Sequence, residues 1–180
     1  MSPRSGGLVL ALTALCTACA MAVQPFEVPD APLSLRAAAD QIPLLKLLAR
    51  GVQIYECAAL KDQPGRYEWS FKAPEAELSD VNGRPAGKHY GGPTWEALDG
   101  STVVGEVKAR DPGSDPNAIP WLLLTAKSNT GNGVFSRVRS IQRLQTVGGK
   151  APTEACGAER AGQQLRVPYT ASYYLYANKP

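Results

Sequence analysis

The residues best suited to chemistry lie between positions 88 and 96, where the sequence reads Lys-His-Tyr-Gly-Gly-Pro-Thr-Trp-Glu. His89 is the only histidine of the chain and is a candidate general base. Glu96 or Glu56 would supply the carboxylate that orients its imidazole. One hypothesis is therefore a small extracellular hydrolase that uses His89 and Glu96. A histidine that only hydrogen-bonds the backbone of a loop fits the same pattern and is favoured over the catalytic role.

The same segment also suits a site that binds a molecule without cleaving it, and this is the preferred hypothesis. The Gly-Gly-Pro at 91–93 predicts a sharp turn across which His89 and Trp95 would face each other. Aromatic rings beside amide and guanidinium groups suit a sugar or another flat ligand. We expect an unknown small molecule or glycan to bind near this loop, at the side chains of Tyr90, Trp95, Asn132, Gln142 and Arg143.

Other kinds of chemistry find no matching pattern. Zinc and copper sites need several histidines or cysteines, and the acids are not spaced as a calcium loop, so no metal and no cofactor are predicted. Gly131 and Gly133 resemble the start of a dinucleotide fingerprint, but Ser136 stands where its third glycine should be, which favours a hairpin turn. The net charge is only +3 and the basic residues are scattered, which argues against nucleic acid.

The first 22 residues have the order of a secretory signal peptide. Arg4 precedes a short apolar run at 8–15, and small residues offer cleavage after Ala20 or Ala22. The protein is therefore expected in the periplasm or the medium, where its role would be ligand binding or an interaction in the envelope or extracellular space. Cys19 could instead carry a lipid anchor, but the residues before it match that motif poorly. No later segment is apolar enough to span a membrane.

Cleavage would leave two cysteines, Cys57 and Cys156, out of the four in the chain. In an oxidising compartment they are expected to form one disulfide. In the chain-entropy model, closing a loop of about 100 residues contributes ~4–5 kcal/mol to stability. The alternative is a pair of free, buried thiols.

The rest of the sequence predicts an extended lead-in at 23–43 and a single β-rich domain at 44–178. Residues 66–72 alternate between apolar and polar, as a half-buried antiparallel strand does, and Pro74 is expected to end that strand. Asn-Gly and Asp-Gly pairs predict hairpins at 82–83 and 99–100. The final strand region, 165–176, is expected to break at Pro168. The fold class is all-β, an antiparallel sandwich or barrel.

Several spaced motifs resemble a family of exported bacterial and fungal proteins known only as a domain of unknown function. The motifs cover about residues 40–176 and begin with Gly51-Val-Gln-Ile-Tyr-Glu-Cys57 and Gly87-Lys-His-Tyr-Gly-Gly-Pro-Thr-Trp-Glu96. They continue with Ile119-Pro-Trp-Leu-Leu-Leu124, Gly131-Asn-Gly-Val-Phe135, Ile141-Gln-Arg143 with Thr146-x-Gly-Gly149, and Val167-Pro-Tyr169. The resemblance implies a secreted single domain and supports the cysteine pair, but it implies no activity and no catalytic residue.

Overall fold

In a computed structural model, which describes residues 26–180, the chain forms one closed antiparallel barrel. Its eight strands are β1 (Gln41–Ala59), β2 (Tyr67–Ser79), β3 (Pro85–Tyr90), β4 (Thr94–Ala97), β5 (Thr102–Asp111), β6 (Trp121–Thr130), β7 (Ser140–Gly148) and β8 (Gln164–Asn178). Each strand pairs with the next, and β8 pairs with β1 to close the sheet. The prediction of an all-β fold is confirmed. The predicted signal peptide, residues 1–22, and the first residues of the lead-in, 23–25, lie outside the described residues.

The described part of the lead-in, residues 26–40, covers the outer surface of the barrel. A short 3-10 helix, Leu33–Leu35, buries Leu35 completely in an outer cluster with Leu144 of β7 and Tyr174 of β8. Strand β1 begins at Gln41, two residues before Pro43, so the sheet reaches into the segment expected to be lead-in. Two more 3-10 helices, Val134–Arg137 and Ala158–Arg160, lie in connections.

No helix within residues 26–180 has the length and apolar character needed to cross a membrane.

The inside of the barrel is filled by the alternate residues of each strand. In β7 and β8, for example, Ile141, Tyr173 and Leu175 belong to the inner core, whereas the intervening Tyr174 belongs to the outer cluster. Phe135, from the connection between β6 and β7, is also buried in the inner core. This connection lies at the same end of the barrel as the turn between β4 and β5, where the Ser101 hydroxyl accepts a hydrogen bond from the Phe135 backbone N–H. The connection between β2 and β3, at 80–84, lies at this end too.

The opposite end of the barrel, here called the mouth, carries the other four connections, the segments 60–66, 91–93, 112–120 and 149–163. Strands β3 and β4 are only six and four residues long, so the wall they form is lower than the wall of β1, β2 and β8. The short wall leaves space at the mouth that the inner core does not fill.

A disulfide fixes the longest mouth segment, 149–163, to the barrel. Cys57 of β1 is bonded to Cys156, which confirms the predicted pair. The same segment also accepts side-chain hydrogen bonds from two aromatic residues of the barrel wall. The Trp69 indole donates to the Glu154 carbonyl at 3.0 Å, and the Tyr55 hydroxyl donates to the Gly149 carbonyl at 2.7 Å.

Two prolines expected to end or break strands lie inside continuous strands. Strand β2 runs through Pro74 to Ser79, and β8 runs through Pro168. On one side each proline pairs with β1. On the other side neither proline has a partner strand. The pairing of β2 with β3 begins only at Ala76, beyond Pro74, and the pairing of β8 with β7 reaches only Tyr169, one residue after Pro168. A proline is tolerated at such a locally open edge because its missing N–H removes no ladder hydrogen bond there.

The turn at Asp99-Gly100 forms a hairpin, as predicted, but with a different backbone conformation. Gly100 has a positive φ of 80°, whereas Asp99 does not adopt a positive φ. The Asp99 carboxylate instead accepts hydrogen bonds from the backbone N–H and hydroxyl of Ser101. The aspartate therefore acts through its side chain, which stabilises a longer turn than the expected two-residue type.

Candidate binding site

The barrel contains a cavity of about 420 Å³ at the mouth. This volume lies within the range of pockets that hold small molecules in proteins. Its floor and walls are mainly apolar and aromatic, with a few polar groups among them. The lining residues are Gln53, Tyr55, Phe71, Lys72, Pro74, His89, Gly92, Pro93, Trp95, Val107, Arg110, Ile119, Pro120, Leu122, Leu124, Arg143 and Tyr173.

His89 lies on the inner face of β3 and is almost completely buried. Its ring stacks on the Trp95 ring, with the ring centres 4.2 Å apart, and meets the edge of the Tyr173 ring at 5.3 Å. Nδ1 lies 2.8 Å from the Thr94 carbonyl oxygen, which can only accept, so Nδ1 carries the proton. Burial, with a smaller contribution from the positive charge of Arg143, lowers the pKa of His89 to about 3. The imidazole is therefore neutral at physiological pH.

Trp95 reaches this position through the register of β3 and β4, in which His89 and Trp95 are direct cross-strand partners. Their side chains consequently point to the same face of the sheet, as the 91–93 turn suggested. Gly105 on β5 provides the space for the indole ring. A Cβ atom at Gly105 would lie only 3.0 Å from the Trp95 ring and 3.1 Å from Leu124.

Arg143 brings a positive charge to the inner face of β7. Its Nε and Nη2 atoms donate to the Pro120 carbonyl, at 3.2 and 2.8 Å, which holds the 112–120 segment against the barrel. The guanidinium also lies within hydrogen-bonding reach of the Tyr173 hydroxyl. The charge acts on its surroundings, because it lowers the pKa of Tyr55 and Tyr173 against the larger upward effect of burial.

Four buried polar atoms around the cavity have no hydrogen-bond partner in the described chain. They are Gln53 Nε2, Trp95 Nε1 and the hydroxyl oxygens of Tyr169 and Tyr173. Gln53, Trp95 and Tyr173 line the cavity, and Tyr169 interacts with Tyr173 and Gln53 beside it. Buried polar groups are nearly always paired in native proteins, and Trp95 Nε1 is the donor here for which the described chain offers no acceptor.

The rim of the cavity is also basic. Lys72 and Arg110 line it, and Lys72 lies 3.4 Å from the Glu56 carboxylate. Within the part of the chain that the structure describes, no aspartate or glutamate lines the cavity. The site therefore combines a neutral imidazole with cations and no lining acid.

Glu96 and Tyr90, both predicted site residues, lie on the outer surface instead. Glu96 follows Trp95 in β4 and so faces the other side of the sheet, away from His89. Its carboxylate accepts a hydrogen bond from the Tyr90 hydroxyl at 2.8 Å and forms an ion pair with Lys88 at 3.3 Å. These contacts lower the pKa of Glu96. The structure thus does not bring His89 and Glu96 together.

Asn132 and Gln142 also lie away from the cavity. Asn132 is exposed in the turn after β6, at the end of the barrel opposite the mouth. Gln142 is buried beneath the lead-in, where its Nε2 donates to the Leu35 carbonyl at 2.6 Å and its Oε1 accepts from the Tyr176 hydroxyl. Of the predicted site residues, His89, Trp95 and Arg143 share one cavity.

The cavity contains several polar residues that the sequence analysis did not single out. Gln53 and Tyr55 come from β1 and Tyr173 comes from β8. The sequence signal that could have found them is the alternation of side chains along a strand. Gln53, Tyr55 and Cys57 occupy every second position of one segment, and Tyr169, Ala171 and Tyr173 do so in another. In each strand these residues must face one side of the sheet.

Within residues 26–180 no group of three or more histidine, cysteine, aspartate or glutamate side chains could hold a metal ion.

Residues 38–177 match the model of a protein family described as "Protein of unknown function (DUF3455)". No curated protein matches the chain. No solved structure matches it either.

Proposed function

We propose that this chain, which belongs to the DUF3455 family of proteins of unknown function, binds one small and largely apolar molecule in the mouth of its barrel. The observation that carries the proposal is the cavity of about 420 Å³, whose walls are mainly apolar and aromatic with polar groups from Gln53, His89 and Arg143 among them. A buried donor beside it such as Trp95 Nε1, which has no acceptor among the described residues, costs about 1–3 kcal/mol. A bound molecule with a few polar groups would recover part of that cost, while apolar walls bury the remainder of its surface.

Binding without catalysis suits the site better than hydrolysis does. A hydrolase built on His89 and Glu96 needs the carboxylate beside the imidazole, whereas Glu96 faces outward and is held by Tyr90 and Lys88. The Thr94 carbonyl takes the place of an orienting carboxylate at Nδ1. The low pKa of His89 also makes it a weak base. We therefore favour a binding protein, with the hydrolase as the less supported alternative.

The proposal includes export to the periplasm or the extracellular space. A disulfide such as Cys57–Cys156 persists in oxidising compartments and is rare in the reducing cytosol. The sequence pattern of residues 1–22 agrees with this location. Mass measurement of the mature protein under non-reducing conditions tests it: we expect cleavage after Ala20 or Ala22 and an intact disulfide. A mass that retains the leader, or a lipid on Cys19, would contradict this form of export.

Binding is tested with the neutral fluorescent probe N-phenyl-1-naphthylamine, whose emission rises when it enters an apolar site. We expect saturable binding to the wild-type protein. The substitution Val107→Trp places a large ring at the rim of the cavity and should weaken binding at least tenfold. Val134→Trp is the matched control, since Val134 is equally exposed, at 36 %, and lies at the opposite end of the barrel.

Circular dichroism would show that both variants keep the barrel. Equal loss of binding in the two variants would show that the probe does not enter at the mouth. Absence of saturable binding to the wild-type protein would overturn the proposed function.

A further inference from the structure

We infer that the molecule held in the cavity carries a single negative charge, as an ionised carboxylate does, and that Arg143 receives it. This inference rests on the proposed function and adds the chemical class of the ligand. It follows from the charges around the cavity, from the unused capacity of the Arg143 guanidinium, and from the hydrogen-bond donors next to it.

The first step concerns charge. Arg143 is a cation among mainly apolar and aromatic walls, Lys72 and Arg110 add positive charge at the rim, and no carboxylate lines the cavity in the described part of the chain. A partly buried charge without a counter-charge is unfavourable, because it loses hydration and gains no ion pair. The neighbouring His89 cannot balance it, since a neutral imidazole carries no charge. An anion in the cavity would supply the missing partner.

The second step concerns geometry. The bonds from Nε and Nη2 to Pro120 fix the plane of the guanidinium. A guanidinium has five N–H donors, so some remain available even with the Tyr173 hydroxyl also within reach. A guanidinium held in this way is preorganised, so a bound anion would not have to pay for ordering the side chain. The fixed position also keeps the charge next to Tyr55, Tyr169 and Tyr173, where it opposes part of the increase in pKa that burial causes at each hydroxyl.

The third step concerns the unpaired groups. Gln53, Tyr169 and Tyr173 contact one another in a chain that the Arg143 guanidinium also reaches. Trp95 Nε1 remains a donor with no acceptor among the described residues. A ligand oxygen bearing negative charge would supply an acceptor beside the cation. The walls around Arg143 are apolar and aromatic, so a carboxylate on an apolar body fits them better than a strongly hydrated, doubly charged phosphate does.

The fourth step concerns entry. Lys72 and Arg110 stand at the rim, where they are exposed. Cations around an opening attract anions from solution and raise the rate at which they enter. Lys72 is partly neutralised by Glu56, so Arg110 is the stronger contributor at the rim. The rim and the interior therefore favour the same sign of ligand charge.

The test compares 2-naphthoate with 2-naphthamide, two probes of nearly the same shape of which only the first is charged at neutral pH. Isothermal titration calorimetry on the full mature protein measures both affinities directly. We expect 2-naphthoate to bind at least tenfold more tightly, because hydrogen bonds to a charged group are about twice as strong as neutral ones. Added salt should weaken the binding of 2-naphthoate and leave that of 2-naphthamide unchanged.

The variant Arg143→Met should remove the preference for the charged probe, so that 2-naphthoate and 2-naphthamide bind to it with equal affinity. Arg139→Met is the matched control, because Arg139 also donates to backbone carbonyls but does not line the cavity. If Arg143→Met does not fold, Arg143→Lys keeps the charge without the fixed fork and should reduce the preference several-fold.

The outcomes separate the two proposals. Equal affinity for both probes would overturn the anionic ligand and leave the binding function standing. A preference for 2-naphthoate that survives Arg143→Met would overturn the role of Arg143. Failure of both probes and of N-phenyl-1-naphthylamine to bind would overturn both proposals together.

Discussion

Acid should destabilise the barrel through His89, the only histidine of the chain. In the unfolded chain its pKa is about 6.5, and burial in the folded barrel lowers that pKa to about 3. Between these values the unfolded chain binds a proton that the folded protein does not bind. The stability contributed by a neutral His89 is therefore fully present above pH ~6.5 and is lost progressively as the pH falls towards the folded-state pKa.

The size of the effect follows from the two pKa values. Each unit of difference between them corresponds to about 1.4 kcal/mol. At pH 5 the solution is about 1.5 units below the unfolded-state pKa, which gives a loss of about 2 kcal/mol relative to pH 8. At pH 4 the loss should reach about 3 kcal/mol. These are large fractions of the 5–15 kcal/mol that is typical of whole domains.

Urea unfolding at several pH values, with wild type and the variant His89→Asn, measures this loss. The asparagine amide can still donate to the Thr94 carbonyl, but it does not titrate. His89→Asn is expected to be less stable at every pH, because it leaves a cavity beside Trp95. The quantity that matters is the change between pH 8 and pH 5, which should be about 2 kcal/mol smaller in the variant.

Several carboxylates whose pKa is also lowered, such as Asp80 and Asp99, are present in both proteins, so their contributions cancel in the comparison. A second measurement is the NMR titration of the His89 imidazole, whose signal needs no assignment because the chain has a single histidine. The signal should stay that of a neutral ring down to pH ~4. A midpoint near 6.5 in the folded protein, or equal pH dependence in both proteins, would refute the argument.

Two further predictions concern stability away from the cavity. The double variant Cys57→Ala, Cys156→Ala should lose about 4–5 kcal/mol of unfolding free energy, because it opens a closed loop of about 100 residues; an unchanged urea midpoint would contradict the disulfide's contribution. Gln142→Leu should lose about 1–3 kcal/mol by leaving the Leu35 carbonyl and the Tyr176 hydroxyl unpaired. It should also speed proteolysis within residues 26–40, and a cleavage rate equal to wild type would show that this bond does not hold the lead-in.

The strands could be predicted because alternation and composition are local properties. Residues 66–72 alternate, and Trp69 is buried near the disulfide as that pattern requires. The effects of Pro74 and Pro168 could not be predicted in the same way. They depend on where neighbouring strands end, and those ends are set by the lengths of β3 and β7 rather than by the sequence around each proline.

The only part of the candidate site that could be predicted is a pair of residues that a short turn places opposite each other on neighbouring strands. The 91–93 turn makes His89 and Trp95 partners, and it also places Glu96 on the opposite face, since adjacent residues of a strand point in opposite directions. This alternation contained the information needed to separate Glu96 from His89. For Gln142 and Arg143, which are also adjacent, the sequence does not reveal which of the two faces inward.

The cavity itself has no local signature. It exists because short strands on one side of a closed barrel leave unfilled space, and its polar groups come from Gln53, His89, Arg143 and Tyr173 on four different strands. Bringing these four residues together requires the complete order of strands. A sequence alone fixes that order only weakly.

The pairing of the first strand with the last has a consequence for biosynthesis. Gln41 of β1 lies opposite Asn178 of β8, so the seam can form only after the whole barrel up to β8 has been synthesised. Until then β1 has a free edge, which can pair with the same edge of another nascent copy. Contacts between residues so far apart in sequence also form slowly. A newly made chain can therefore self-associate through the edge of β1 until β8 has been synthesised and has paired with it.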